Sequence, residues 1–241
     1  MAAAWRSAPS FIPATRFVEH DGLVAVVTGV PEPFANTVYV ACPPADPEQA
    51  WRRLLASVRV PVAAWLRDGV DDAVAAVARD EGFKVAEELP GMVLPLQDLD
   101  REEAAPNGLT IERICDAAGH AGYLEVVAAA SGLPAERFAD TAPLSSVHLV
   151  FLDQWLGRID GRPVATAAAF RDGAEVAQIH GVCTLGNLRG KGYGRAMTLQ
   201  ALRGAADRGC DLAVLTATPL GLPVYRRLGF TQVDLWRTWV P

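Results

Sequence analysis

Residues Arg189-Gly190-Lys191-Gly192-Tyr193-Gly194 place a glycine at every second position among cations. A loop of this kind can bind phosphate. Glycine carries no side chain to hold a ligand away from the backbone. A helix starting beside the loop also turns unpaired N–H groups and about half a positive charge toward it. Arg189, Lys191 and Arg195 can add charge-assisted hydrogen bonds at the rim, so a pyrophosphate fits. Two other phosphate loops are excluded. Lys191 is followed by Gly192 where a Walker A loop needs Ser or Thr, and Arg195 stands where a dinucleotide fingerprint needs its third glycine.

The elements that must position this loop can be read from periodicity. Tyr193 to Asp207 has helical spacing, with Ala196, Met197, Leu199, Leu202 and Ala206 available for a buried face. Before the loop, Val147 to Ile159, Pro163 to Phe170 and Ala174 to Thr184 read as strands. They are joined by Asp160-Gly161 and Asp172-Gly173, whose residue types tolerate positive φ in tight hairpins. Further upstream, Leu109 to Ile114 reads as a strand and Asp116 as the N-cap of a helix from Ala117 to Ala130, ended by Ser131-Gly132. A second short helix is expected after Pro134. Beyond the loop helix come an apolar strand from Leu212 to Ala217, a short helix from Leu220 to Leu228 closed by Gly229, and a strand from Thr231 to Val240. The order is that of an α+β fold of α/β three-layer form, a mixed and mostly antiparallel sheet flanked by helices.

Asp98 to Gly108 is charged and then turn-forming, which places a joint near Pro106 and divides the chain into residues 1–105 and 106–241. The first part reads as a smaller α/β domain. His20-Asp21-Gly22 before Leu23 to Val27 marks a hairpin. Glu81-Gly82-Phe83 before Val85 to Leu96 echoes Leu228-Gly229-Phe230 and its strand. Either the first half is a degenerate copy of the second, without a glycine loop, or Gly-Phe ends a helix in both halves with no common plan.

Composition limits the partners. The chain has 241 residues, 51% hydrophobic, and a net charge of −6, distributed as −7 over residues 1–105 and +1 over 106–241. A nucleic-acid partner is not expected without a basic face, although Arg189, Lys191, Arg195, Arg203 and Arg208 against Asp207 form a local stretch of net +4 suited to a small polyanion. No apolar run reaches the roughly 18 residues of a membrane span. Cys42, Cys115, Cys183 and Cys210 form no CxxC pair and have no His at ligand spacing, so neither a metal nor a disulfide framework is expected. A cytoplasmic location follows by default.

The loop, preceded by the strand Gly181-Val182-Cys183-Thr184-Leu185, resembles the Arg/Gln-x-x-Gly-x-Gly/Ala signature of the GNAT acyltransferase superfamily. Ala217-Thr218-Pro219-Leu220-Gly221-Leu222-Pro223-Val224-Tyr225-Arg226-Arg227-Leu228-Gly229-Phe230 resembles the family's second signature, a tyrosine four residues ahead of a Gly-Phe pair. The resemblance covers roughly Leu109 to Val240. It implies an acetyl-CoA-dependent N-acetyltransferase that needs no metal, acting on a primary amine of a small molecule or peptide by direct attack on the thioester. Coenzyme A pyrophosphate would lie on Arg189, Gly190, Lys191, Gly192, Tyr193 and Gly194, with Arg195 at the rim. Pantetheine would lie along Val182, Cys183 and Thr184. Thr218 stands where the family often has Asn.

The same resemblance implies Tyr225 as proton donor to the departing thiolate and a backbone N–H near Val182 as donor to the thioester oxygen. Strict alternation puts Gln178, His180, Val182 and Thr184 on one strand face, making His180 the candidate base there, with Glu175 on the opposite face. Glu125 and Asp153 are further candidates. Two alternatives stay open: a noncatalytic acyl-CoA-binding sensor, and a first half that replaces the second subunit of a dimer, making the protein a monomer with pseudo-dimeric halves instead of a homodimer.

Overall fold

The computed structural model describes residues 15–99, 102–132, 144–172 and 175–241. By contacts the chain forms two compact units, Met1–Gly91 with Gln232–Pro241, and Met92–Thr231. Pro106 therefore falls inside the second unit, and the last ten residues belong with the first.

The first unit runs β1 (Arg16–His20), β2 (Leu23–Val27), β3 (Asn36–Val40), α1 (Pro47–Val58), β4 (Ala63–Arg67), α2 (Asp72–Asp80) and the start of β5 (Lys84–Pro95). It is completed by β11 (Thr231–Val240). Asp21 and Gly22 turn the first hairpin at φ 43° and 83°, as their residue types allow. β1, β2 and β3 are antiparallel, β3 and β4 parallel, and β11 antiparallel to β4. Trp51, Leu54 and Val58 of α1 pack on Leu23, Val38, Leu66 and Trp239, with the Trp51 and Phe83 rings edge-on at 5.2 Å. The Asn36 side chain is fully buried and donates to Val30 O at 2.7 Å and Pro61 O at 2.9 Å, which satisfies loop carbonyls that water cannot reach.

The second unit runs β6 (Leu109–Arg113), α3 (Ala117–Ser131), β7 (Leu152–Ile159), β8 (Arg162–Asp172), β9 (Val176–Thr184), α4 (Tyr193–Asp207), β10 (Leu212–Thr216) and α5 (Leu222–Arg227), and includes the end of β5. Its strand order is β5-β10-β9-β8-β7-β6. The meander β6 to β9 is antiparallel, and β10 is parallel to β9. Met197, Leu199 and Leu202 of α4 cover Ala165, Ala167, Ala169 and Ile179 on one sheet face. On the other face Tyr123 and Val126 of α3 meet Ile114, Val147 and Leu156. Three layers result.

α3 begins and ends as its sequence requires: Asp116 accepts from Gly119 N at 2.8 Å, and Gly132 closes it at φ 68°. The strand expected from Val147 starts only at Leu152. Leu144–His148 instead forms a 3₁₀ turn, and β7 opens with Leu152 opposite Phe170 near the end of β8. The helix expected after Pro134 lies outside the described residues, as does the Gly173 side of the Asp172-Gly173 turn.

Along the chain one order of elements occurs twice, first as β1-β2-β3-α1-β4-α2-β5 and then as β7-β8-β9-α4-β10-α5-β11. The loop entering the central helix differs. Before α1 it is Ala41 to Asp46, with two prolines. Asp46 caps Gln49 N at 2.9 Å, and Glu48 occupies the first turn. A helix start filled by its own carboxylates repels an anion.

Candidate active site

The site of the second unit is built where β9 leaves its neighbours. β9 pairs with β10 only over Val176, Ala177 and Gln178, opposite Leu212, Ala213 and Val214. Toward Thr184 the register with β8 slips by one residue, Thr166 facing Cys183 while Ala168 faces His180. Gly181 and Val182 thus face Ala167 together, a bulge with Gly181 at φ 59°. A side chain is doubly unwelcome at 181, since a Cβ would also lie 2.3 Å from the Tyr123 hydroxyl.

This bulge corrects the expected alternation. His180, Cys183 and Thr166 share the α3 face, where Cys183 packs against the Tyr123 cluster. Val182 turns to the α4 face and packs with its core, and Thr184 Oγ1 comes within reach of Gly194. Val182 and Thr184 are therefore not on the face of His180. The extra residue reverses the strand's two-residue period beyond position 181.

After Thr184 a 3₁₀ turn, Gly186–Leu188, leads into the loop. Gly190 and Gly192 take φ 78° and 84°, left-handed values that cost a side-chain-bearing residue about 1–2 kcal/mol. Gly192 caps α4 with no side-chain bond of its own, and Ala196 N is the first amide to return to Gly192 O, at 3.0 Å. The amides of Tyr193, Gly194 and Arg195 belong to the turn that a helix cannot satisfy internally. The backbone is thus shaped to receive an anion.

The cations are less uniform than their sequence spacing implies. Lys191 is exposed. Arg189 lies back, its Nε donating to Thr184 O at 3.3 Å and Nη2 to Ala130 O at 3.5 Å. Arg195 is clasped by Glu103, with Nε and Nη2 each 2.6 Å from a carboxylate oxygen, and Arg203 Nη2 donates to Glu103 O at 2.7 Å. The hydrogen bond from Arg195 holds the Glu103 carboxyl below the usual range. Arg195 thus stands beside the loop but is already paired. Sequence reading missed this clasp because Glu103 lies 92 residues from Arg195.

Tyr225 is 8% exposed on α5, its ring edge-on to Phe230 at 5.9 Å. Burial, and then the nearby charge of a Cys183 thiolate, push its phenol up to about 12. Tyr123, 5% exposed, is raised by the same two causes, so both phenols lie within electrostatic reach of the Cys183 sulfur. Burial likewise pushes the Cys183 thiol up. Thr218 is exposed. Its Oγ1 accepts from Gly221 N at 3.2 Å, so this hydroxyl caps the turn into α5.

His180 is exposed in surface terms, yet protein mass around the ring pushes it down to about 4. The two observations disagree: an open ring should titrate near its ordinary value, a desolvated one far below. Both leave it neutral at the mildly alkaline pH where more of an alkylamine is unprotonated. The other candidates stand elsewhere. Asp153, 2% exposed, accepts from Arg113 Nε at 2.6 Å, from Arg171 Nη1, and from Arg208 Nη2 at 3.4 Å, so it is committed to three cations. Glu125 is exposed two residues from buried Tyr123, hence on another side of α3. Glu175 precedes β9, at the far end of the strand from the bulge. Among the described residues no three His, Cys, Asp or Glu side chains gather as a metal-ligand set, and no helix is long and apolar enough to cross a membrane.

Comparison with known proteins agrees with this geometry. Residues 131–230 match the model of the acetyltransferase (GNAT) family. A GCN5-related N-acetyltransferase from Kribbella flavida superposes with a TM-score of 0.75 at 25% identity, covering 100% of this chain and 95% of that one. A tandem GNAT protein from the clavulanic acid biosynthesis pathway gives a TM-score of 0.69 at 15% identity, over 100% and 87% of the two chains. A GCN5-related N-acetyltransferase from Sphaerobacter thermophilus gives 0.66 at 16%, over 91% and 76%. The last two speak for the fold, which spans both units. With its glycine loop at the head of α4, its parted β9 and β10 and its bulge at Gly181, the second unit carries a GNAT acetyltransferase domain at residues 131–230.

Proposed function

We propose that the second unit transfers the acetyl group of acetyl-CoA to a primary amine of a small molecule or peptide, by direct attack of the amine on the thioester. The observation that carries this reading is the parting of β9 from β10 after Gln178, with the bulge and the glycine loop following on the same strand. Polar backbone left without a strand partner needs a ligand or water, and an extended pantetheine arm has amides that fit beside Val182, Cys183 and Thr184. At one end of that path the amides of 190–195 suit the pyrophosphate. At the other, an amide of the bulge suits the thioester oxygen, whose charge grows as the tetrahedral intermediate forms.

The proton balance follows from the side chains. The amine attacks in its neutral form, and the adduct loses a proton to His180 or to water beside it. The carbon–sulfur bond breaks, and the thiolate takes a proton from Tyr225, which is protonated at every physiological pH. Calorimetry with acetyl-CoA, followed by thiol release across a panel of primary amines, tests the reading. Binding with amine-dependent release is expected. Absence of binding overturns the reading, and binding without release from any amine turns it into that of a sensor.

A further inference from the structure

The bulge in β9 is held from both sides by groups that lie outside the family's two signatures. Thr166, fully buried on β8, donates from Oγ1 to Gly181 O at 2.8 Å. Thr166 also stands directly opposite Cys183 in the pairing of β8 with β9. One side chain thus ties down the residue before Val182 from the position that pairs with the residue after it. On the α3 side the Tyr123 hydroxyl fills the space that a side chain at 181 would take, 2.3 Å from the ideal Cβ position. The Gln154 side chain lies beside the Tyr123 hydroxyl, and its Oε1 is buried with no partner among the described residues.

We propose that Thr166 and Tyr123 are positioning residues. They clamp the Gly181–Val182 bulge so that its free amide stays aimed at the thioester carbonyl. The proposal rests on the acetyl-transfer reading above and deepens it. A bulge is one unpaired residue in a strand, and without restraint its peptide can rotate toward a neighbouring acceptor. A donor that must reorganise when charge develops on the oxygen loses most of its value, so the clamp supplies preorganisation. Neither side chain needs to touch the substrate.

The test compares the full-length protein with Thr166→Val, Thr166→Ser and Tyr123→Phe. Calorimetry gives affinities for acetyl-CoA and for free coenzyme A, and steady-state assays give kcat and KM. Only acetyl-CoA has the carbonyl, so the clamp acts on the difference between the two ligands. Thr166→Val and Tyr123→Phe should lower kcat roughly 10- to 100-fold. They should reduce the preference for acetyl-CoA over coenzyme A roughly 2- to 10-fold, with coenzyme A affinity held within a factor of about 2. Thr166→Ser keeps the hydroxyl and should restore both. Wild-type kcat in the Val and Phe variants overturns the proposal. So does an equal loss of affinity for both ligands, which is the mark of general loosening, or a Ser variant as slow as Val. A wild-type protein that binds neither ligand overturns the functional reading itself.

Discussion

Tyr225 and His180 stand on opposite sides of the proposed proton balance, and their surroundings separate their roles. A phenol pushed up to about 12 by burial stays protonated until the thiolate departs, so it is in the state needed to donate. Tyr225→Phe should therefore lower kcat by roughly 10²-fold while leaving acetyl-CoA affinity unchanged. Stopped-flow turnover beside calorimetry checks this, and an equal loss of affinity would mean the ring's packing on Phe230 is what matters. His180 carries the reverse assignment. With the ring pushed down to about 4 it has no proton to lose near neutrality, so the rise of rate with pH belongs to the amine. His180→Ala should lower kcat without moving the midpoint of that rise. A midpoint near 6.5 that vanishes in the variant would show an imidazole titrating at its ordinary value.

At the scale of elements, α4 and the loop before it act as one device. Its first turn offers amides to an anion, and its Arg195 is held by a segment that joins β5 to β6. The Arg195 bond holds Glu103 below the ordinary carboxylate range, so between the two values the unfolded chain binds more protons than the folded one. By linkage the clasp stabilises the fold above the unfolded value of 4.5, and this contribution is lost as pH falls through the lower, folded one. Glu103→Gln should flatten the acid limb of a melting-temperature profile between pH 6 and 3 and leave its upper part parallel to wild type. An unchanged acid limb would assign that loss of stability to other carboxylates.

At the scale of the molecule, chain order and compact units do not coincide. The chain passes from the first unit to the second within β5 and returns after Thr231. A fragment cut at Pro106 would lack Met92 to Pro95 of β5, which border β10 in the second unit, and would carry β11, which belongs to the first. Its β10 would become an open, largely apolar edge. Residues 106–241 expressed alone should unfold at lower denaturant than the second unit of the whole chain, and should aggregate. A fragment as stable as the parent would show that β5 adds nothing to that edge.

Much of this was legible without coordinates, because local rules sufficed. Asp116 and Gly132 bound α3, Asp21-Gly22 and Asp160-Gly161 turn hairpins, and Tyr193 to Asp207 is helical over its whole length. Each depends on residues within one turn of one another. Glycine loop and tyrosine signature were readable for the same reason. The facing of β9 was not. A single glycine inside an apolar strand signals a bulge, but whether it lies at 181 is decided by Thr166, Tyr123 and the register with β8. Sequence by itself determined the elements, the loop and the family they resemble. Only tertiary structure decided which side chains share the cleft, that Glu103 holds Arg195, and that ten C-terminal residues complete the first unit. Strand register, ion pairs and burial are contacts between residues far apart in the chain, and no local pattern encodes them.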